Sequence, residues 1–122
     1  MRLLLGIGGS DDSWRALTQT AERAAEADDS LTIAVLENPD SEMTPEEIEE
    51  KAEQALSEHD LDAEIRHVEG DPGAMLVEIA DSEGYDQIVL GGGERSPMGK
   101  IRVGQVAEFV VLNAETSVTL VR

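Results

Sequence analysis

A chain of 122 residues has room for one domain with a real core, expected to span 1–122. Its 27 acids against 9 basic residues give a formal charge of −18, which repels nucleic acid and anionic membranes and points to the acidic, lysine-poor surface of proteins from salt-loaded, halophilic cytoplasms. Cysteine is absent, excluding disulfides and thiolate metal sites; no apolar run reaches the roughly 18 residues of a membrane helix, and a first strand beginning at Arg2 leaves no space for a signal peptide, so a cytoplasmic location is expected.

Leu3-Leu4-Leu5-Gly6-Ile7 is a continuous apolar run ending in Gly8-Gly9, which reads as a strand buried on both faces. Ser10 or Asp11 can cap the helix that follows, whose Leu17, Ala21, Ala24 and Ala25 fall on one stripe. A second buried strand, Leu31 to Leu36, runs into the turn signal Asn38-Pro39-Asp40. Thr44-Pro45-Glu46-Glu47 is a strong helix start, with Thr44 as cap, Pro45 in the first turn and Glu47 reaching back as a capping box. That helix runs to about His59 and buries mainly Ile48, Ala52, Ala55 and Leu56. Ala63 to Val68 alternates like an edge strand. Asp71-Pro72 starts a helix burying Met75, Leu76, Ile79 and Ala80.

Gln87-Ile88-Val89-Leu90 is a third buried strand and opens into Gly91-Gly92-Gly93. Val103, Val106, Ala107, Val110, Val111 and Ala114 mark a last helix, and Val118 to Val121 a last strand. Strict β-α alternation demands a parallel sheet: a single doubly wound, Rossmann-like α/β domain with helices on both faces. With the third strand at an edge and the first and fourth fully buried, the expected spatial order is 3-2-1-4-5. That order reverses direction between the first and fourth strands, and ligands bind at such a switch point, beyond the carboxyl ends of the strands. Both glycine turns, 8–9 and 91–93, fall there.

The stretch 91–105 reads GGGERSPMGKIRVGQ. Glycines after a strand let backbone amides approach a phosphate, and the start of the next helix adds a partial positive charge. Arg95, Lys100 and Arg102 are a third of the chain's basic residues, and 95–107 holds no acid. An anion site is the favoured reading. The alternative is a surface loop whose basic residues pair with acidic neighbours.

Here the sequence resembles the universal stress protein domain, over its whole length. LLLGIGGSDDSWRAL is similar to that family's first strand, turn and helix, YDQIVLGGG to its fourth strand, and GQVAEFVVLNAETSVTLV to its last helix and strand. The resemblance implies the five-stranded fold, adenine nucleotide α-hydrolase-like, and a homodimer. For one branch it also implies ATP or AMP bound by a Gly-x2-Gly-x9-Gly-Ser/Thr loop, an Asp after the first strand and backbone near the end of the second. By position, Gly91 and Gly104 match the first and last loop glycines, and Val35 the backbone facing the adenine. Gly8 stands in place of the Asp, Glu94 of the second glycine and Gln105 of the hydroxyl residue. Losing the Asp and the hydroxyl removes roughly 2–4.5 kcal/mol of hydrogen bonding, about 30- to 2,000-fold in affinity.

The candidate ligand residues are therefore Gly8, Gly9, Ser10, Val35, Gly91, Gly92, Gly93, Arg95, Ser96, Gly99, Lys100, Gly104 and Gln105. Asp11 and Asp12 read as first-turn acids that favour a helix N-terminus, His59 as an ordinary cation at a helix C-terminus, and His67 as a solvated or structural edge residue. Trp14 reads as packing under the Gly8 turn, with stacking on a base the alternative. No catalytic or metal-binding constellation has support. The sequence thus points to a non-enzymatic stress-response or regulatory domain, a homodimer through its last strand, that binds a small anion or a protein partner. The alternative is an ATP- or AMP-binding member with slow or no hydrolysis.

Overall fold

The apolar runs form the centre of one parallel sheet. The computed structural model describes residues 1–38, 41–92, 94–95, 101–102 and 104–121; for 94–95 and 101–102 it describes the backbone. In chain order the elements are β1 (Arg2–Ile7), α1 (Asp11–Ala27), β2 (Ser30–Leu36), α2 (Pro45–Glu58), β3 (Glu64–Val68), α3 (Pro72–Glu83), β4 (Gln87–Gly91), β5 (Glu94–Arg95), β6 (Ile101–Arg102), α4 (Gln105–Asn113) and β7 (Ser117–Val121). The five-stranded sheet has the order β3-β2-β1-β4-β7, all parallel, which is the expected 3-2-1-4-5. β5 and β6 pair antiparallel as a separate small ladder within the segment read from sequence as a glycine-rich loop.

Alternation along β1 divides the core between the two faces of the sheet. Leu3, Leu5 and Ile7 pack with Ile33, Val35, Leu17 and Ala24 of α1, and Ile48 and Leu56 of α2. Leu4 packs on the other face with Leu36, Ile88 and Leu90, Leu76 and Ile79 of α3, and Ala107 and Val110 of α4. Each fully buried leucine or isoleucine contributes about 1.5–3 kcal/mol relative to exposure. Two positions depart from the helical stripes expected from spacing, and a third is not described. Ala25 is exposed and Val111 is half exposed, while Val103 lies outside the described residues. α1 turns its Ser13, Ala16 and Thr20 inward instead, because small side chains let it lie close to the sheet.

Local signals set the helix starts. Thr44 Oγ1 accepts from the Glu47 amide at 3.2 Å and Glu47 accepts from the Thr44 amide at 3.0 Å, the full capping box. Asp71 caps α3 through the Ala74 amide at 3.0 Å, with Pro72 in the first turn. At α1, Ser10 is the N-cap by position, but its hydroxyl makes no capping bond and turns to Asp12 instead.

The turn from α4 into β7 is held from α3. Asp81 accepts from the Thr116 hydroxyl at 2.6 Å, and from the Glu115 and Thr116 amides at 3.2 and 3.1 Å. These bonds, the Thr116 hydroxyl first, hold its carboxyl below the usual carboxylate range. A depressed folded-state value means stability that is present above the ordinary Asp range and lost as pH falls through the folded value. Asp81→Ala is expected to lower the melting temperature at pH 7 and to blunt part of its fall between pH 5 and 3, as read by thermal scans in a pH series.

Candidate functional site

The switch point lies between β1 and β4. Their register sets Leu5 opposite Val89, which brings the ends of both strands, Ile7-Gly8 and Gly91, side by side. Gly9 adopts φ +85, a backbone that other residues rarely take, and this turns the chain from β1 into α1. Gly91 is required for a different reason. A Cβ there would lie 2.7 Å from Asp12 Oδ2 and 2.8 Å from the Asp12 backbone carbon, so β4 and the start of α1 approach as closely as glycine allows.

Internal partners occupy much of the polar surface of this crevice. The Gly8 amide donates to Ser13 Oγ at 3.1 Å, and the Gly8 carbonyl accepts from Asn38 Nδ2 at 2.8 Å. A Cβ on Gly8 would meet Asn38 Nδ2 at 3.3 Å, so the amide of Asn38 covers the place where the resemblance implies an Asp side chain. Ser10 Oγ lies 3.0 Å from Ser13 Oγ and donates to Asp12 Oδ1, which also accepts from the Ser13 amide at 3.1 Å. The Gly92 amide donates to the Val121 carbonyl at 2.6 Å, tying the glycine turn to the end of β7.

Of the residues expected at the site, Gly8, Gly9, Ser10, Gly91 and Gly92 converge. Val35 is 2% exposed and lies inside the ladder, opposite Ile7 and His67. Gly104 is the N-cap of α4, with no side-chain cap and open space around it, and Gln105 begins that exposed first turn. Hydrogen bonds between described residues do not tie these two to the crevice. Gly93, Ser96, Gly99 and Lys100 lie outside the described residues, as do the side chains of Glu94, Arg95 and Arg102.

Sequence reasoning missed Asp12, read as a first-turn acid, and Asn38, read as part of a turn. Nothing in the local pattern of either reports a neighbour on another strand. Trp14 is half-buried against the α1–α2 core, with the Lys51 ammonium 4.4 Å above its ring. His67 lies 2.6 Å from Glu49 of α2, a structural pairing at the β3 edge. A cavity of about 490 Å³ lies elsewhere, between α2 and β3, and its Glu49, Glu53, Asp60 and Asp62 repel an anion. Among the described residues, no three His, Asp or Glu are grouped to hold a metal ion, and no helix is long and apolar enough to cross a membrane.

The model of the universal stress protein family matches residues 1–122. The chain belongs to that family. A relative, the stress response protein NhaX of Bacillus subtilis (strain 168), is 30% identical over 77 residues, 63% of this chain and 46% of that protein. The chain thus spans under half the length of that relative. A universal stress protein solved in complex with cAMP is 28% identical, with a TM-score of 0.79 over 100% of this chain and 96% of its own. One from Archaeoglobus fulgidus, solved in complex with dAMP, shares the fold at 21% identity, with a TM-score of 0.73 over 100% of this chain and 98% of its own.

Proposed function

We propose that this universal stress protein domain is a non-enzymatic stress-response or regulatory module that binds an adenine nucleotide in the crevice between β1 and β4. The observation that carries the reading is the convergence of the Gly8-Gly9 and Gly91-Gly92 turns at the switch point, in a fold shared with a relative solved with cAMP. The residues assigned to the ligand are those around the two turns, Ser10 and, from the sequence, Arg95, Ser96, Gly99, Lys100, Gly104 and Gln105. Calorimetric titration with cAMP, AMP and ATP in molar KCl tests it. For ATP the expected dissociation constant is roughly tens of micromolar to millimolar, a micromolar site weakened by the missing Asp and hydroxyl. Lys100→Ala should weaken binding, and Glu94→Gly with Gln105→Ser should strengthen that of ATP. Absence of binding by every nucleotide, in the parent and in these variants, contradicts the proposal.

The same proposal makes the protein a homodimer through β7. β7 pairs with β4 on one side, and Val118, Thr119, Leu120 and Val121 are all partly exposed. It carries no charge and no proline, unlike the opposite edge, β3, where Arg66 is held in an ion pair with Glu83 and His67 Nε2 lies 2.6 Å from Glu49 Oε1. α4, packed beside β7, leaves Val111 50% and Leu112 74% exposed. A two-fold mate that adds its own β7 antiparallel satisfies the edge and covers apolar surface. Sedimentation at micromolar concentration in molar salt should give a dimer, and Leu120→Lys should shift it toward monomer. A monomeric parent protein contradicts this interface. The −18 charge supports the further proposal that the domain works in a salt-rich cytoplasm.

A further inference from the structure

We infer that Asn38 is a positioning residue of the crevice: its side chain fixes the peptide between Gly8 and Gly9 so that the Gly9 amide donates to the bound nucleotide. The inference rests on the nucleotide reading above and names what orients one of its two glycine turns.

Two successive glycines have the widest choice of backbone angles, so nothing in the Gly8-Gly9 pair itself fixes the direction of its amides. Asn38 supplies the constraint from outside the turn. It follows β2 by two residues, and its Nδ2 donates to the Gly8 carbonyl at 2.8 Å. Only the nitrogen end of a carboxamide can donate to a carbonyl, so the bond also fixes which way the side chain is turned. Asn38 Cβ and Nδ2 each lie 3.3 Å from where a Gly8 Cβ would be. The side chain therefore fills the space that a side chain at residue 8 would take, and holds the carbonyl of the same residue.

A peptide unit is planar, and a trans one sends its C=O and its N–H in opposite directions. No peptide bond among the described residues is cis. With the Gly8 carbonyl held toward Asn38, beyond the end of β2, the Gly9 N–H is turned away from β2. β1 lies between β2 and β4, so that direction is the side of the Gly91-Gly92 turn and of the crevice. The Gly8 amide donates to Ser13 Oγ and the Gly92 amide to the Val121 carbonyl, whereas no acceptor for the Gly9 amide lies among the described residues. The bond from Asn38 thus directs the Gly9 amide to where an acceptor atom of the nucleotide can take it.

The test is a titration with cAMP in molar KCl, followed at the glycine amides of isotope-labelled protein, on the parent, Asn38→Leu and Asn38→Asp. Asn38→Leu keeps most of the bulk and removes the donor. Asn38→Asp keeps the shape and sets an acceptor oxygen against the Gly8 carbonyl, which turns the peptide away. Each variant serves if the other folds poorly. In the parent, Gly9 should shift on binding together with Gly91 and Gly92. In the variants the Gly9 shift should be lost and the affinity should fall about three- to tenfold, the usual strength of one neutral hydrogen bond. Gly91 and Gly92 should still shift at saturation. A merely structural side chain would weaken the response of all three glycines together, or its loss would unfold both variants, and either result overturns the inference. A Gly9 shift and an affinity both unchanged from the parent overturn it too. These outcomes leave the nucleotide reading standing. Absence of saturable shifts in the parent overturns the nucleotide reading, and this inference with it.

Discussion

The melting temperature is expected to climb by roughly 10 °C or more between dilute buffer and molar KCl. The cause is self-repulsion from a formal charge of −18 on 122 residues. Ion pairs between described residues, Met1–Asp29 and Arg66–Glu83, engage few of the 27 acids. α2 alone carries Glu46, Glu47, Glu49, Glu50, Glu53 and Glu58 against the single cation Lys51, which lies over Trp14. Folding gathers these charges onto one small surface, whereas the unfolded chain spreads them. Raising salt from 0.1 M to 1 M shortens the screening length from about 10 Å to about 3 Å and removes most of that repulsion. Thermal scans in a KCl series check the expectation. A flat response contradicts the salt-rich reading.

Gly91→Ala is expected to destabilise the fold by about 1–3 kcal/mol, the usual cost of forcing an extra carbon into a packed place. The contact is with the backbone of Asp12 as well as its carboxylate, so no rotamer change relieves it. Either β4 or the start of α1 must move. Truncating Asp12 to alanine in the same protein should not restore stability, because the Asp12 backbone carbon stays 2.8 Å from the new methyl. Gly104→Ala is the contrast. Its Cβ meets nothing within 4 Å, so the cost should stay below about 1 kcal/mol. Urea titration of the three variants separates these outcomes, and a neutral Gly91→Ala contradicts the close approach of α1 and β4.

The fold was readable because its signals are local. Buried runs such as Leu3–Ile7 and Gln87–Leu90 need only their own apolar composition to be recognised, and the Thr44–Glu47 capping box is complete within four residues. The alternating β3 as an edge, with β1 and β4 as fully buried runs, was enough to order the sheet. Helix faces were less readable, since Ala25 and Val111 fit the period but are exposed. The pairing of Glu94–Arg95 with Ile101–Arg102 is too short to show a period of two. At the crevice, the glycines announce a turn, but what each faces depends on a strand far away in sequence. Asp12 against Gly91, Asn38 against Gly8 and Gly92 against Val121 are contacts made by the crossovers, and no local pattern carries them.

The central claim, an adenine-nucleotide crevice between β1 and β4, is tested most directly by amide NMR of isotope-labelled protein titrated with cAMP in molar KCl. Glycine amides resolve well, and the chain holds 11 of them spread through the fold. The account predicts saturable shifts concentrated at Gly8, Gly9, Ser10, Gly91 and Gly92, with Gly84, at the opposite end of the sheet before β4, unmoved. Shifts centred on the acidic cavity between α2 and β3, or no shifts at millimolar nucleotide, would contradict it.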